Sequence, residues 1–334
     1  MTTSPNSGLV PLIAVPCLNE AEHIESLIDY LLRVQSRLGG QIVIADGIST
    51  DGTRDIVARL IAKHPCLHMV DNHARIQSAG LNLAVERFGS DATHLIRIDA
   101  HCGYPDDYCD VLLDEARRSG AASVVVSMRA EGSGQFQRVA AAAQNAPVGN
   151  GGSKHRQETP GEWVDHGHHA LFELSAFRDI GGYDPGFTNN EDAEFDHRFV
   201  AAGHRIWLTG RTCVTYYPRS SYRQLARQYF RHGSGRACNF MKHRTLPKLR
   251  QAKVIAILPL VAVSTLAGFS WLFLLPLAAW IAYCGTMAAV LAVQGRDVSL
   301  MMAAPMAMVM HLSWSVGFWS TVLGQRVPTL ARPA

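Results

Sequence analysis

Residues 9–53 read LVPLIAVPCLNEAEHIESLIDYLLRVQSRLGGQIVIADGISTDGT, and they decide the fold class. The run Leu9–Val15 is apolar and rich in branched residues, which is typical of a buried strand. The stretch opened by Asn19 and Glu20 carries apolar residues at helical spacing: Ile24, Leu27, Ile28, Leu31 and Leu32. Gln41–Ala45 is a second short apolar strand that ends on Asp46. Strand, helix and strand in this order predict a parallel βαβ unit.

The same alternation continues beyond residue 53. The pattern predicts helices over Thr53–Ala62, Arg75–Phe88 and Asp106–Arg118, and strands over Leu67–Val70, His94–Ile98 and Ala122–Met128. Short connections between strands and helices favour a doubly wound, mostly parallel α/β sheet. Ligands bind such sheets at the carboxyl ends of the strands. Two of the predicted strands end on a carboxylate, Asp46 and Asp99, so we expect the functional site there.

Charge divides the chain into blocks. Only 18% of the 334 residues are charged, against about 25% in typical globular proteins. Residues 1–218 hold 18 Lys+Arg and 27 Asp+Glu, residues 219–253 hold ten basic residues and no acid, and residues 254–334 hold three Arg and one Asp. We therefore predict an acidic domain over 1–218, a basic interfacial helical collar over 219–253, a membrane segment over 254–323 and a short tail over 324–334.

The membrane segment has room for about three spans. Residues 254–293 contain no charge, and one span needs about 20 apolar residues, so this run holds two, with Pro276 marking the turn. Residues 298–323 predict a third span, although two spans in total remain the alternative. The basic collar precedes the first span and predicts that its side is cytoplasmic. Three spans leave Arg326 and Arg332 on the opposite side, which conflicts mildly with that rule.

Several classes of protein are disfavoured. The seven cysteines are odd in number and form no CxxC pair, which argues against a disulfide frame or a zinc site. Residues 1–8 are polar and do not resemble a secretory signal. Nucleic acid is not an expected partner, because no aromatic-rich binding motif accompanies the basic collar. A basic collar directly before an apolar segment indicates anionic lipid head groups instead.

Two motifs follow predicted strands. Asp46–Thr53 opens a helix whose free N–H groups favour an anion, and Asp46 is placed to accept hydrogen bonds from a base or a ribose. Asp99-Ala100-His101 places a carboxylate and an imidazole two residues apart. Both groups suit a divalent ion that bridges a diphosphate, and an ordinary turn is the alternative for His101.

Three later segments carry further candidates. Asn189–Asp196 contains four acids in six residues, and Asp192 at a helix start is a candidate general base; a solvated acidic helix start is the alternative. Arg231 in the segment Gln228–His232 is suited to neutralise a leaving diphosphate, and a lipid-facing arginine is the alternative. Residues 144–160 are rich in Gly, Asn and Ser, and they predict either a loop that closes over a ligand or a plain surface connection.

Six ordered motifs make the chain resemble the family 2 inverting glycosyltransferases. They are Val15–Glu20, Asp46–Thr53, Arg75–Asn82, Asp99–His101, Gly181–Asp184 followed by Glu191-Asp192, and Gln228-x-x-Arg231-His232. Gly47 and Ile48 depart from the family's Asp-Asp-Gly-Ser pattern. His101 stands where the family carries a second metal carboxylate, and His232 stands where chain-polymerising members carry Trp.

The resemblance implies a GT-A-like fold and a set of roles. Asp192 and Glu191 would be catalytic, and Asp99 with His101 would hold Mg²⁺ or Mn²⁺. The diphosphate and acceptor side would involve Gln228, Arg231, His232 and His168, while His166 and His169 either line the acceptor cleft or are structural. The implied nucleotide-sugar-binding residues are Pro16, Asn19, Glu20, Asp46, Asp51, Arg75, Asn82 and Asp99.

Within the family, Asp-Ala-His, Val164–His169 and the apolar tail are similar to succinoglycan-type glucosyltransferases of bacterial exopolysaccharide synthesis. This resemblance implies a UDP-sugar donor, a polyprenyl-diphosphate-linked saccharide acceptor, membrane lipid and other polysaccharide-assembly enzymes as partners. It also implies the bacterial inner membrane, with the catalytic domain in the cytoplasm. A polyprenyl-phosphate glycosyl synthase and a non-catalytic membrane scaffold are the alternatives. A nucleotidyltransferase is disfavoured, because Val15–Glu20 has no Gly-rich phosphate loop.

Overall fold

The computed structural model describes residues 8–153 and 160–324. Within these residues the strands form one sheet, with helices between and after them. In chain order, strands β1 to β9 are Pro11–Cys17, Gln41–Asp46, Leu67–Asp71, His94–Arg97, Cys102–Gly103, Ser123–Ala130, Glu162–Val164, His168–Glu173 and Ile206–Tyr216. Helices α1 to α13 are Ile24–Leu38, Thr53–Ile61, Gln77–Phe88, Tyr108–Ser119, Gln135–Asn145, Pro147–Asn150, Leu174–Asp179, Glu191–Ala201, Tyr222–His243, Leu249–Ile255, Ile257–Ser264, Leu275–Gly295 and Ala303–Leu323.

The strand order is β3-β2-β1-β4-β8-β6-β9-β5, and β7 also pairs with β9. Strands β1 to β4 pair in parallel, whereas β8 runs antiparallel to both β4 and β6. The pairing aligns Cys17 with Asp46 and Asp46 with Asp71, so the carboxyl ends of β1, β2 and β3 lie level. The predicted α/β sheet is therefore confirmed, with the antiparallel β8 as an addition.

The core lies on both faces of this sheet. Along β1, Ile13 and Val15 pack into one apolar cluster, and Leu12 and Ala14 pack into the other. Successive side chains of a strand point to opposite faces, and all four are fully buried. A strand buried on both faces shows a continuous apolar run, which is the pattern that residues 9–15 display.

The predicted elements agree with the observed ones to within a few residues, except at the start of the chain. The first strand covers Pro11–Cys17 instead of Leu9–Val15, and α1 begins at Ile24, after Asn19 and Glu20. Asn19 has a φ of +57°, a left-handed conformation that a helix interior does not accept. The residues after β1 form a loop because they hydrogen-bond to the loop after β2.

The chain divides into two compact units. One comprises residues 1–128 and 158–214, and the other comprises residues 129–157 and 215–334. The predicted domain boundary at 218 lies near the second division, but it assigns 129–157 to the other part. Within the second unit, the apolar face of α5 packs with Leu225 and with residues of α12 and α13.

The predicted loop over 144–160 is partly helical. Gln144 and Asn145 end α5, and Pro147–Asn150 forms α6. Residues 154–159 of this loop lie outside the described residues.

Three helical segments of the second unit are long and apolar enough to cross a membrane: Leu249–Gly268, Trp271–Gly295 and Val298–Leu323. The predicted number of apolar segments is thus confirmed for the described residues. The predicted turn at Pro276 is wrong. Pro276 lies in the first turn of α12, where its missing N–H costs no helical hydrogen bond, and the break falls at Phe269 and Ser270 between two short 3₁₀ turns.

Candidate active site

The loops after β1 and β2 are joined by four hydrogen bonds. The backbone N–H of Asn19 donates to Ser49 Oγ at 2.8 Å, and Thr50 N–H donates to Asn19 Oδ1 at 2.8 Å. Glu20 N–H donates to Thr53 Oγ1, and Ala21 N–H donates to a carboxylate oxygen of Asp51. These contacts hold Asn19 and Asp51, two predicted site residues, as parts of one rigid pair of loops.

Asp46 is completely buried at the end of β2. Its Oδ1 accepts from Ser49 Oγ at 2.5 Å, and its Oδ2 accepts from Arg54 Nη1 at 2.6 Å. Burial alone would raise the pKa of Asp46, but the hydrogen bonds from Ser49 and Arg54 hold it below its ordinary value. Asp46 therefore shapes the loop and orients the Arg54 guanidinium, which also binds Asp71, and its contact with a base or a ribose stays a prediction.

Four residues of the motifs have left-handed backbones: Asn19, Ile48, Arg75 and Asn190, with φ between 55° and 60°. A β-branched residue rarely adopts this conformation. Ile48 does so at the position where the resembled motif has glycine. Strained backbone concentrates at functional sites, and these four residues follow β1, β2 and β3 or precede α8, around the carboxyl ends of the strands.

The start of α3 contributes three polar residues with different surroundings. Arg75 is exposed. Gln77 donates from Nε2 to Asp99 Oδ1 at 2.7 Å. The Asn82 amide is taken up within the chain, since it donates to Tyr183 O at 2.7 Å and accepts from Tyr183 N–H at 2.9 Å. Asn82 therefore clamps the segment before α8, and its contact with the nucleotide sugar stays a prediction.

Arg97, which none of the motifs singled out, lies at the centre of the site. It ends β4, is 4% exposed, and its Nη1 donates to Asp192 Oδ1 at 2.5 Å. Its Nε donates to Asp99 Oδ1 at 3.2 Å, and its Nη1 also contacts the Tyr183 hydroxyl at 3.3 Å. One guanidinium thus connects the Asp-Ala-His motif with the acidic start of α8. A buried arginine in an apolar strand must be paired with an acid. The single charge in the apolar run Leu95-Ile96-Arg97-Ile98 is the sequence feature that could have identified Arg97.

Asp99 is fixed by both its main chain and its side chain. Tyr104 accepts from the Asp99 N–H at 2.7 Å and donates to the Asp99 carbonyl at 3.1 Å. Burial alone would raise the pKa of Asp99, but the positive charge of Arg97 and the neighbouring His168 hold it below its ordinary value. Asp99 is therefore an ionised carboxylate in a partly buried position.

His101 and Glu20, two predicted site residues, are brought together. His101 Nδ1 lies 3.2 Å from Glu20 Oε1, and the His101 side chain is 48% exposed. This contact links the loop after β1 with the loop after β4. Pro16, the other predicted residue of β1, pairs in register with Ala45 of β2 and is half-buried.

A divalent cation would find two suitable ligands beside β4. Asp99 Oδ2 and His168 Nε2 are 3.8 Å apart, which suits two ligands that share an ion at about 2.1 Å. Among the described residues no cluster of three or more His, Cys, Asp and Glu side chains is arranged around a metal position. Mg²⁺ usually takes one or two protein carboxylates and completes its shell with substrate phosphates and water. The residues present therefore fit an ion that arrives with a diphosphate.

The acidic start of α8 is buried and paired, so a solvated helix start, the alternative interpretation, is wrong. Glu194 forms an ion pair with Arg198, and Asp196 binds His166 Nδ1 at 2.5 Å. Asp192 Oδ1 accepts from the Tyr183 hydroxyl at 2.9 Å as well as from Arg97. Four carboxylates in a helix start that is mostly out of water need these partners.

Glu191 has an unusual proton affinity. Burial and the adjacent Asp192 carboxylate raise the pKa of Glu191 from 4.5 to about 7, and Arg97 opposes this shift. Glu191 therefore changes its charge near neutral pH. A carboxyl group whose pKa lies near the working pH is suited to acid–base chemistry, which agrees with its predicted place in the catalytic pair.

We expect Glu191→Gln to stabilise the protein at pH 8 but not at pH 4. Because the folded-state pKa is raised, the native chain binds more protons than the unfolded chain between pH 4.5 and 7, so stability falls as pH rises through this window. The amide mimics the protonated form, and the expected gain in the free energy of unfolding at pH 8 is about 3 kcal/mol. Unfolding of the detergent-solubilised chain at both pH values measures it, with the exposed Glu22→Gln as control. An equal gain at both pH values would contradict the assigned shift.

The remaining predicted residues are His169 and three residues of α9. The side chain of His169 is not among those described. Gln228, Arg231 and His232 belong to α9 in the second unit, where Gln228 Nε2 donates to the Tyr216 hydroxyl at 2.7 Å. Arg231 is exposed, and their role towards a diphosphate or an acceptor stays a prediction.

The mostly parallel sheet, with Asp99 two residues after β4 and the acidic start of α8 joined to it through Arg97, is an α/β fold of GT-A type. The sequence matches the family model "Glycosyl transferase family 2" over residues 12–181. The chain belongs to this family and is a glycosyltransferase.

Known proteins support the assignment. The chain is 49% identical to the succinoglycan biosynthesis protein ExoA of Rhizobium meliloti (strain 1021) over 326 residues, which is 98% of this chain and 99% of that one. The fold of this chain is similar to that of the mannosyltransferase PcManGT from Pyrobaculum calidifontis in complex with GDP-Man and Mn²⁺. The TM-score is 0.59 and the identity 17%, and the match covers 95% of this chain and 89% of that one. It is also similar to GalNAc-T7 with UDP, GalNAc and Mn²⁺, with a TM-score of 0.50, 13% identity and coverage of 70% and 50%.

Proposed function

We propose that the protein transfers a sugar, glucose, from a UDP-sugar to a polyprenyl-diphosphate-linked saccharide in succinoglycan-type exopolysaccharide synthesis. The observation that carries the proposal is the Arg97 guanidinium between Asp99 and Asp192. It joins a carboxylate suited to the donor diphosphate to a carboxylate suited to accept a proton. The near-complete alignment with a succinoglycan biosynthesis protein supports the pathway.

Asp192 is the proposed general base. Arg97 and Tyr183 both bind Oδ1, and this pair of contacts fixes the orientation of the carboxylate. The Asp192 side chain is 17% exposed, so an acceptor hydroxyl can approach it. Removal of the hydroxyl proton lets the oxygen attack the anomeric carbon opposite the leaving UDP, which inverts that centre. Positioned proton transfer contributes about 10²–10⁴ in rate.

Asp99 and His168 are the proposed ligands on the donor side. Mg²⁺ or Mn²⁺, when bound there, would offset the negative charge that develops on the departing diphosphate. Gln77 and Arg97 hold Asp99 Oδ1, so the carboxylate presents Oδ2 towards His168. The resemblance implied His101 as the second ligand of the ion. Because His101 pairs with Glu20, we assign that ligand to His168 instead.

The proposed acceptor explains the membrane segment. A saccharide on a polyprenyl diphosphate is held at the cytoplasmic leaflet of the bacterial inner membrane. The basic residues of 219–253 would bind anionic head groups and keep the enzyme at that surface. We place the catalytic domain on the cytoplasmic side, in line with the position of the basic residues before the first apolar segment.

Membranes that contain the protein test this function directly. They are supplied with labelled UDP-glucose, UDP-galactose or GDP-mannose, and with either a polyprenyl-diphosphate-linked saccharide or polyprenyl phosphate. We expect label from UDP-glucose in the extended lipid-linked saccharide. A lipid monophosphate sugar as product would identify a polyprenyl-phosphate glycosyl synthase instead. Absence of transfer together with absence of UDP binding in the presence of Mn²⁺ would identify a scaffold.

We expect Asp99→Asn and His168→Asn to weaken the Mn²⁺-dependent binding of UDP at least tenfold, because each removes one ligand of the ion. His101→Asn is the matched control, and its effect should be smaller since His101 pairs with Glu20. Calorimetric titration of UDP with and without Mn²⁺ measures the difference. A larger loss in His101→Asn than in His168→Asn would return the metal to Asp99 and His101.

A further inference from the structure

The third apolar helix, α13, is covered by protein to a degree that the other two are not. We compared the most apolar 18-residue stretch of each candidate span. The buried share of this stretch is 39% in the third span, 6% in the first span and 11% in the second span. Within α13, only Ser320 and Leu323 are exposed. The elements that cover α13 therefore indicate where this helix lies.

The middle of α13 is tied to a polar segment. His311 Nε2 lies 2.7 Å from the carbonyl oxygen of Val148, and Trp280 Nε1 donates to His311 Nδ1 at 3.1 Å. A neutral imidazole donates from one nitrogen and accepts at the other, so both ring nitrogens are satisfied. Val148 belongs to α6 and lies between Asn145 and Asn150, two amide side chains that are costly to place in hydrocarbon.

The second half of α13 is tied to the start of the first apolar segment. Ser315 Oγ donates to the Ile255 carbonyl at 2.9 Å and accepts from Leu258 N–H at 3.0 Å. Trp319 Nε1 donates to the same carbonyl at 2.9 Å. Ile255 follows Lys253 by two residues, so these contacts lie close to a charged position.

Helix α9 crosses the same half of α13 at very short range. A Cβ on Gly233 would lie 1.9 Å from the Trp314 carbonyl oxygen, and a Cβ on Gly317 would lie 2.0 Å from the Phe230 carbonyl oxygen. The hydroxyls of Ser234 and Thr321 are 2.7 Å apart. Small residues allow two helix backbones to approach in this way. The outer side of α9 bears exposed arginines one turn apart: Arg223, Arg227 and Arg231.

These contacts are incompatible with α13 crossing the bilayer. If α13 crossed, residues 311 to 321 would extend about 15 Å, from the middle of the hydrocarbon to its far surface. Lys253 and the arginines of α9 would then lie deep in the hydrocarbon, where charged side chains are costly. We propose that α13 lies in the membrane interface on the side of α9, and that lipid hydrocarbon receives only the hairpin 257–293.

The hairpin has the properties of a lipid-inserted element. It carries no charge between residues 254 and 293. The side chains at its tip are exposed, with Phe269 at 88% and Trp271 at 67%. Lys253 and Phe269 are sixteen positions apart, which is about 24 Å along a helix and most of the hydrocarbon thickness of about 30 Å. Helix α12 then returns the chain to the polar positions Gln294–Asp297.

This placement also resolves the conflict in the charge pattern. Three crossings would put Arg326 and Arg332 on the side opposite the basic residues 219–253. An interfacial α13 removes the third crossing, and with it this conflict with the positive-inside tendency.

Protease accessibility of the full chain tests the proposal. One epitope tag precedes Met1, and a second follows Ala334. In inside-out vesicles we expect protease to remove both tags, and in spheroplasts we expect both to be protected. Removal of the C-terminal tag from spheroplasts in which the N-terminal tag stays intact would overturn the proposal.

A matched pair of substitutions provides a second measurement. Ser313→Lys places a charge at the middle of α13, and Thr286→Lys places one at the middle of α12, where Thr286 is exposed. We expect Ser313→Lys to reach membranes at close to the wild-type amount and Thr286→Lys to fall several-fold. An equal loss in both variants would show that α13 also lies in hydrocarbon, and it would overturn the proposal.

Discussion

Asp192→Asn is expected to reduce sugar transfer at least a hundredfold while UDP binding remains close to that of the wild type. The amide preserves the shape of the side chain and can still accept from Tyr183 at Oδ1, but it cannot take a proton from an acceptor hydroxyl. Loss of a positioned base costs about 10²–10⁴ in rate. Initial rates with a saturating donor, together with titration of UDP, separate the two effects.

The control for Asp192→Asn is Asp179→Asn, another change from acid to amide in the same unit. Asp179 is exposed, and among the described contacts its carboxylate pairs with His204 Nε2 at 2.9 Å. We expect this variant to retain wild-type turnover. If Asp192→Asn kept more than a tenth of wild-type turnover, Asp192 would not be the base, and Glu191 would become the candidate.

Arg97→Met is expected to have the second large effect. The substitution keeps side-chain bulk but leaves the carboxylates of Asp99 and Asp192 together without their shared positive charge. Breaking a buried ion pair by removing one partner costs about 3–5 kcal/mol. We expect the free energy of unfolding to fall by this amount and sugar transfer to fall at least a hundredfold, measured in detergent by denaturant unfolding and by initial rates.

Two variants separate charge from general destabilisation. Arg97→Lys restores a positive charge without the fork that reaches both carboxylates, so we expect intermediate stability and partial activity. Arg59→Met removes an exposed arginine that pairs with Glu25, and a surface pair contributes about 0–1 kcal/mol. Equal losses in Arg59→Met and Arg97→Met would contradict the central role of Arg97.

Sequence patterns were sufficient for the first half of the sheet. The strands β1 to β4 and helices α1 to α4 were predicted because each has its own apolar period and its own bounding residues. The family resemblance of the motifs also implied that Asp99 and Asp192 belong to one site. In the structure Arg97 contacts both carboxylates, and their roles stay predictions.

Patterns were not sufficient for contacts between distant segments. Asp46 was expected to accept hydrogen bonds from a base or a ribose, and no sequence pattern indicated that Ser49 and Arg54 are its partners in the folded chain. Asn82 was expected to bind the nucleotide sugar, and no sequence pattern indicated that its amide clamps the backbone of Tyr183, 101 residues away. Helix α5 was assigned to the first domain, yet its alanine-rich face packs with α12 and α13 in the second unit.

The sequence by itself determined the α/β class, the order of the motifs and the position of the uncharged stretch. Each of these depends on residues that are neighbours along the chain, through strand and helix periods or through charge density. Only the tertiary structure decided that Arg97 joins Asp99 to Asp192, that β8 runs antiparallel beside β4, and that α13 packs under α9. Such pairings arise because buried charges and backbone groups must find partners, and folding selects those partners from segments far apart in the chain.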